Sequence, residues 1–127
     1  MKCRGIRGAT TADANTKKCI FEATKELLQE IFKANSVNKD EVACIIFTTT
    51  KDLNAAFPAT GARAMGLADI PLLCSQEIEV PHSLPSCIRI LVLFNTNLKA
   101  GDIKHIYVKG AVSLKSDTIN DKAGMEE

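Results

Sequence analysis

The chain has 127 residues, 16 Lys and Arg against 15 Asp and Glu, a net charge of +1 and 46% apolar residues, which fits one domain with a sizeable core. The balanced charge leaves no dominant basic face for nucleic acid or a membrane surface, and no stretch approaches the roughly 20 apolar residues of a membrane span. No apolar leader of the signal-peptide kind is evident, so a cytoplasmic location is expected.

Residues 2–9 read as a strand whose odd positions hold Cys3, Gly5, Arg7 and Ala9, so the Arg7 guanidinium shares a face with small residues. Gly5 and Gly8 lie inside this strand pattern without the strand-turn-helix order of a nucleotide cradle, and they point instead to close approach of backbone or ligand. Between residues 16 and 35, Ile20, Thr24, Leu27, Leu28 and Ile31, with Phe21 and Phe32, follow helical spacing. Lys17, Lys18, Lys25, Glu26, Gln29 and Glu30 face away. Asp13, Asn15 and Thr16 are competent caps at the entry of this helix.

Residues 42–50 are β-branched and apolar on both faces, as in a central strand. Pro58 opens a second, shorter helix that runs to Met65 and ends at Gly66, with Phe57 just before it. Three more strands are predicted, over 71–80, 87–95 and 105–114, separated by turns containing Pro81, Pro85, Asn97 and Gly101. The order is β-α-β-α-β-β-β, an α+β fold with a mixed sheet and helices on one face. Residues 1–114 form the single domain, and 115–127 read as a polar, mobile tail. Two helices cannot cover both faces of such a sheet, so the apolar excess points to self-association, with ligand clefts between subunits.

Within the apolar run 87–94, Arg89 is out of place. A cation there needs an anion, either a protein carboxylate or a ligand, because an unpaired buried charge costs several kcal/mol. Glu77 could neutralise one guanidinium, but one carboxylate cannot balance both Arg89 and Arg7 unless Glu79 also turns inward. The second arginine therefore favours an external anion held on rigid strands. Cys74 and Tyr107 complete a strand-borne constellation. Neither histidine is near Cys74 in sequence, which favours packing or hydrogen bonding over nucleophilic chemistry. The five cysteines, Cys3, Cys19, Cys44, Cys74 and Cys87, form an odd set without a CxxC pair. They read as reduced thiols, and with only His82 and His105 besides, no metal is expected. His105 reads as a surface or interface histidine.

Arg4-Gly5-Ile6-Arg7-Gly8-Ala9-Thr10-Thr11, then Asp52-Leu53-Asn54-Ala55-Ala56-Phe57-Pro58-Ala59, Pro71-Leu72-Leu73-Cys74-Ser75-Gln76-Glu77, Cys87-Ile88-Arg89 and His105-Ile106-Tyr107, in one order along nearly the whole chain, resemble the monofunctional chorismate mutases of the small trimeric α/β type. The resemblance implies a pseudo-α/β-barrel homotrimer with inter-subunit sites that converts chorismate to prephenate, in aromatic amino acid biosynthesis, without a cofactor. It also implies that Arg89 reaches the ether oxygen and a carboxylate of the substrate, Arg7 another anionic oxygen, Tyr107 a carboxylate and Glu77 the ring hydroxyl. Cys74 would lie beside that hydroxyl, Phe57, Leu73 and Leu114 would form apolar wall, and Arg63 would add positive potential at the mouth. Thr60 stands where the family can carry lysine and Lys115 where it can carry arginine, changes at the rim that affect substrate capture more than the chemical step.

Two other classes share parts of this pattern. Trimeric imine-deaminating or small-anion-binding proteins also place an arginine at a subunit interface, and a catalytically silent module could use Arg-Glu pairs solely to specify contacts.

Overall fold

The computed structural model describes residues 1–115. Apart from Lys115, the polar stretch read as a tail lies outside the described residues. Strands β1 (Lys2–Thr11), β2 (Val42–Thr49), β3 (Leu72–Gln76), β4 (Cys87–Thr96) and β5 (Ile106–Tyr107), with helices α1 (Lys17–Ala34) and α2 (Pro58–Ala62), build one mixed sheet. Its strand order is β3-β2-β4-β1-β5. The long β4 runs antiparallel to both β1 and β2, while the short β3 and β5 pair in parallel at the two edges.

Both helices pack on the same face. Helix α1 starts where the Thr16 side chain accepts the Cys19 N–H at 3.1 Å, and it buries Ile20, Ala23, Thr24, Leu27, Leu28 and Ile31, the stripe that helical spacing marks out. Against it β4 sends Ile88, Ile90, Val92 and Phe94, β2 sends Ile45 and Phe47, and β1 sends Ile6. Gly8 lets α1 come close: a Cβ there would stand 2.6 Å from Ile31 Cδ1 and 3.2 Å from Leu27 Cδ1. Helix α2 begins at Pro58, as expected for proline in a first turn. It continues as a wider turn, Arg63–Leu67, and Gly66 ends it at a φ of 90°, a conformation glycine adopts freely.

Two strands end earlier than their composition predicts. The segment predicted as strand over 71–80 stops at Gln76, because its single partner β2 ends at Thr49. One further bond, Glu77 N–H to Thr49 O at 2.9 Å, closes the pairing, and the chain then turns through His82 at a φ of 65°. The segment predicted as strand over 105–114 pairs as a strand only at Ile106–Tyr107 and stays extended through Val108. Lys109 at a φ of 53° breaks the extension, the Thr11 hydroxyl accepts the Gly110 N–H at 3.2 Å, and helical turns occupy 109–115. Among the described residues, no helix is long and apolar enough to cross a membrane.

Replacing Gly8 by Val should press on Ile31 and Leu27 and cost about 1–3 kcal/mol, as overpacking of a filled core does. Urea unfolding measures this as a lowered midpoint, and an unchanged midpoint would show that α1 has room to retreat.

Candidate active site

The face of the sheet without helices carries the arginines. Alternation along β4 sends Arg89, Leu91 and Leu93 to this side, opposite the core-facing Ile88, Ile90, Val92 and Phe94. Cross-strand register sets Ala9 beside Arg89 and Arg7 beside Leu91 on one flank, and Thr48 beside Arg89 and Ile46 beside Leu91 on the other. The apolar surroundings of Arg89 in sequence imply burial on both sides. In the structure its side chain is half exposed, because the helices occupy only the opposite face.

An open cleft of about 860 Å³ runs over this face. Arg7, Arg89, Glu77, Tyr107 and Leu114 line it together with Thr48, Cys87 and the turn residues 78–84 except Glu79, which pairs with Lys51 instead. Of the residues expected from sequence, these five are brought together within one chain. Arg89 Nε lies 3.8 Å from Glu77 Oε2, an ion pair too long to be a hydrogen bond. That carboxylate oxygen and the Thr48 hydroxyl are buried without a hydrogen-bond partner, and such groups are expensive to leave unmet. Among the described residues no carboxylate comes within 4.0 Å of Arg7. The cleft thus combines two guanidinium groups with one loosely held carboxylate, a net positive site on rigid strands.

The other expected residues lie at the opposite edge. Phe57, Thr60 and Arg63 stand at or beside α2, and Leu73 on β3 pairs with Ile46 on the open face. Phe57 is 70% exposed and Leu73 62%, large values for apolar side chains. Cys74, in register with Phe47, packs partly against the core on the helix-covered face, the packing role its sequence context favours. Lys115 is exposed at the end of the described chain. Cys87 is buried beside Arg89; burial pushes its thiol pKa up and the Arg89 charge offsets part of that shift, so it remains a thiol at neutral pH. Among the described residues, no three His, Cys, Asp or Glu are grouped to hold a metal ion.

Sequence reading missed the groups that set this geometry. Asp52 accepts the Ser86 N–H at 2.8 Å and the Ser86 hydroxyl at 3.2 Å, and it also accepts the Thr50 hydroxyl. The Thr50 oxygen in turn accepts the Cys87 N–H at 3.0 Å. Ser86 is held at a φ of 53°, and β4 begins at the next residue, two before Arg89. The only hint in the sequence is a Thr-x-Asp spacing, which is common in turns. On the far flank, the Arg7 N–H donates to His105 Nδ1 at 3.0 Å, a pairing between residues distant in sequence that composition cannot reveal.

The Thr50 hydroxyl lowers the Asp52 pKa below its ordinary 3.8, with further help from the Ser86 N–H and hydroxyl, while burial acts the other way. A lowered carboxyl pKa stabilises the fold above the unfolded value, and the gain is lost as pH falls through the folded value. Asp52→Asn should therefore cost about 1 kcal/mol at pH 7, given the exposure of the group, or about 3–5 °C in Tm. The deficit should shrink in thermal scans below pH 3.8; a constant deficit would contradict the role of the charge.

The comparisons with known proteins place the chain in one family. The pattern of the family described as chorismate mutase type I matches residues 3–118. The chain is 45% identical over 115 residues to the chorismate mutase AroH of Thermus thermophilus, covering 90% of this chain and 94% of that one. It is 36% identical over 118 residues to the AroH of Bacillus subtilis, covering 92% and 93%. A solved chorismate mutase from Clostridium thermocellum superposes with a TM-score of 0.85 at 47% identity, covering 87% of this chain and 98% of that one. With the family pattern spanning nearly the whole described chain and a net positive cleft on its open sheet face, this protein belongs to the type I chorismate mutase family.

Proposed function

We propose that the cleft over β4 is where chorismate rearranges to prephenate, with Arg89 as the residue on which the rate most depends. The activity follows from family membership and from likeness along the full length to three chorismate mutases. The observation that carries the assignment to this cleft is the strand-borne Arg89 beside a carboxylate that does not hydrogen-bond it.

The reaction is unimolecular. One C–O bond breaks, one C–C bond forms across the ring, and no proton moves. A protein can therefore accelerate it by folding the substrate and by stabilising charge, without a nucleophile-base pair. As the C–O bond lengthens ahead of C–C formation, negative charge gathers on the ether oxygen. A fixed guanidinium there favours the transition state over the ground state. Arg89 takes that place, Arg7 and Tyr107 bind carboxylate oxygens, and Glu77 accepts the ring hydroxyl while balancing the cations. Leu114 closes one wall.

Phe57, Leu73, Arg63 and Thr60 complete the site from a neighbouring copy of the chain. Supporting this, Arg89, Arg7 and Tyr107 lie on β4, β1 and β5, whereas the exposed Phe57 and Leu73 lie at the β3–α2 edge of the sheet. Side-by-side packing would join unlike halves, a head-to-tail contact that closes into a ring. Three copies forming a pseudo-α/β-barrel homotrimer would cover Phe57, Leu73 and the open face bearing Ile46, Leu91 and Leu93. The working compartment is the cytoplasm.

Following the loss of chorismate absorbance, with prephenate confirmed chemically, tests the activity. Arg89→Ala, or the neutral isostere citrulline at 89, should lower kcat by at least ~10²–10³, the loss typical of one preorganised donor, with the assembly intact by sedimentation. Near-native turnover with citrulline would reject the electrostatic role. Because no proton moves in the reaction, kcat should hold a broad plateau around neutrality, and a narrow bell centred near pH 7 would contradict the mechanism.

A further inference from the structure

We infer that His105 is a positioning residue for Arg7: its neutral imidazole fixes the strand segment from which the Arg7 guanidinium reaches the substrate, so that substrate capture weakens when the ring gains a proton. The inference rests on the functional reading above.

The contact has an unusual form. Strand β5 pairs with β1 only at Gly8 opposite Ile106 and Ala9 opposite Tyr107, with one more bond from the Val108 N–H to Ala9 O at 3.1 Å. The Arg7 N–H falls just before this short ladder, where the edge strand has not yet begun. His105 Nδ1 accepts it at 3.0 Å, doing with a side chain what a carbonyl does elsewhere in a sheet. To accept, Nδ1 must be bare, so the ring is neutral with its proton on Nε2.

The segment that carries His105 is itself anchored. Asn35, buried at the end of α1, accepts the Lys104 N–H at 2.8 Å and donates to Lys104 O at 2.9 Å. The imidazole therefore hangs from a fixed peptide, and Tyr107, another cleft residue, lies two positions further on. His105 thus ties together the two elements, β1 and β5, that bring Arg7 and Tyr107 to the same cleft.

Protonation would undo this in two ways. An imidazolium has no acceptor to offer the Arg7 N–H, and it would stand as a second cation beside Arg7. Among the described residues, Arg7 on β1 is the charged group that acts on the ring. Asp102 and Lys104 flank it on its own segment, and the α1 end reaches that segment through the neutral Asn35. Burial and then the Arg7 charge both hold the histidine below its ordinary 6.5. A histidine pKa lowered on folding stabilises the fold above 6.5, and that stability is lost as pH falls below it. The ring is therefore neutral through the kcat plateau and charges only on its acid side.

The test is steady-state chorismate turnover by the full chain between pH 4.5 and 8, for wild type, His105→Leu and His105→Asn. An asparagine oxygen can occupy the place of Nδ1 without titrating. Wild type should show an acid limb in kcat/KM below pH 6.5, carried by KM. His105→Leu should lose about 5–10-fold in kcat/KM across the range, the effect of one missing hydrogen bond. His105→Asn should recover most of that loss and abolish the limb. Nitrogen-15 spectra of the wild-type ring should show an unprotonated Nδ1 and a protonated Nε2 at pH 7, whatever the activity.

An acid limb that persists in His105→Asn, a His105→Leu enzyme equal to wild type, or a proton on Nδ1 would overturn the inference. If His105→Leu fails to fold, the asparagine variant and the spectra still decide it. A wild-type protein inert toward chorismate overturns the functional reading itself, an outcome distinct from active enzyme whose variants do not respond.

Discussion

The alternation of side chains along β4 is the constraint on which the rest depends. Lying between β1 and β2, this strand sends four large apolar residues into the helix-covered core and Arg89 to the open face. Because the side-chain period is two, a slip of one residue would bury the guanidinium among the helices at a cost of several kcal/mol and expose the core residues in its place. Register and function are therefore specified together. The Thr50, Asp52 and Ser86 cluster fixes where β4 begins, and the close seat of α1 on Gly8 holds β1 flat against the same core.

Electrostatics then follow from what is left unfinished. A tight Arg89–Glu77 pair would consume the charge, whereas a separation of 3.8 Å with a carboxylate oxygen lacking a hydrogen bond leaves both groups able to engage a ligand. Rigid strands make such an arrangement effective, since the cation need not reorganise as charge develops on the substrate. Arg7, with no carboxylate within 4.0 Å among the described residues, is a second positive centre lining the same cleft. The exposed Phe57 and Leu73 are the apolar counterpart, large side chains left open to solvent at the β3–α2 edge.

Much of this was legible in the sequence, for identifiable reasons. The α1 stripe, the proline at the start of α2 and the alternation of β4 are local patterns, and local patterns survive in a one-dimensional reading. Arg89 and Arg7 stood out because each breaks such a pattern, whereas Glu77 and Tyr107 entered through their place on predicted strands. The errors arose where pairing partners decide. The strands expected over 71–80 and 105–114 have apolar content to spare, but β2 ends before the first can continue and the turn at Lys109 stops the second. The hydrogen bonds of Asp52 and His105 join residues far apart in sequence. None of these leaves a local signature.

A crystal structure with a bicyclic dicarboxylate mimic of the transition state bound would decide whether Arg89 acts on the ether oxygen. The Arg89 guanidinium should sit about 3 Å from the ether oxygen of the mimic, with Glu77 turned to the hydroxyl and Arg7 on a carboxylate. An Arg89 side chain closed onto Glu77 and pointing away from the bound inhibitor would contradict it.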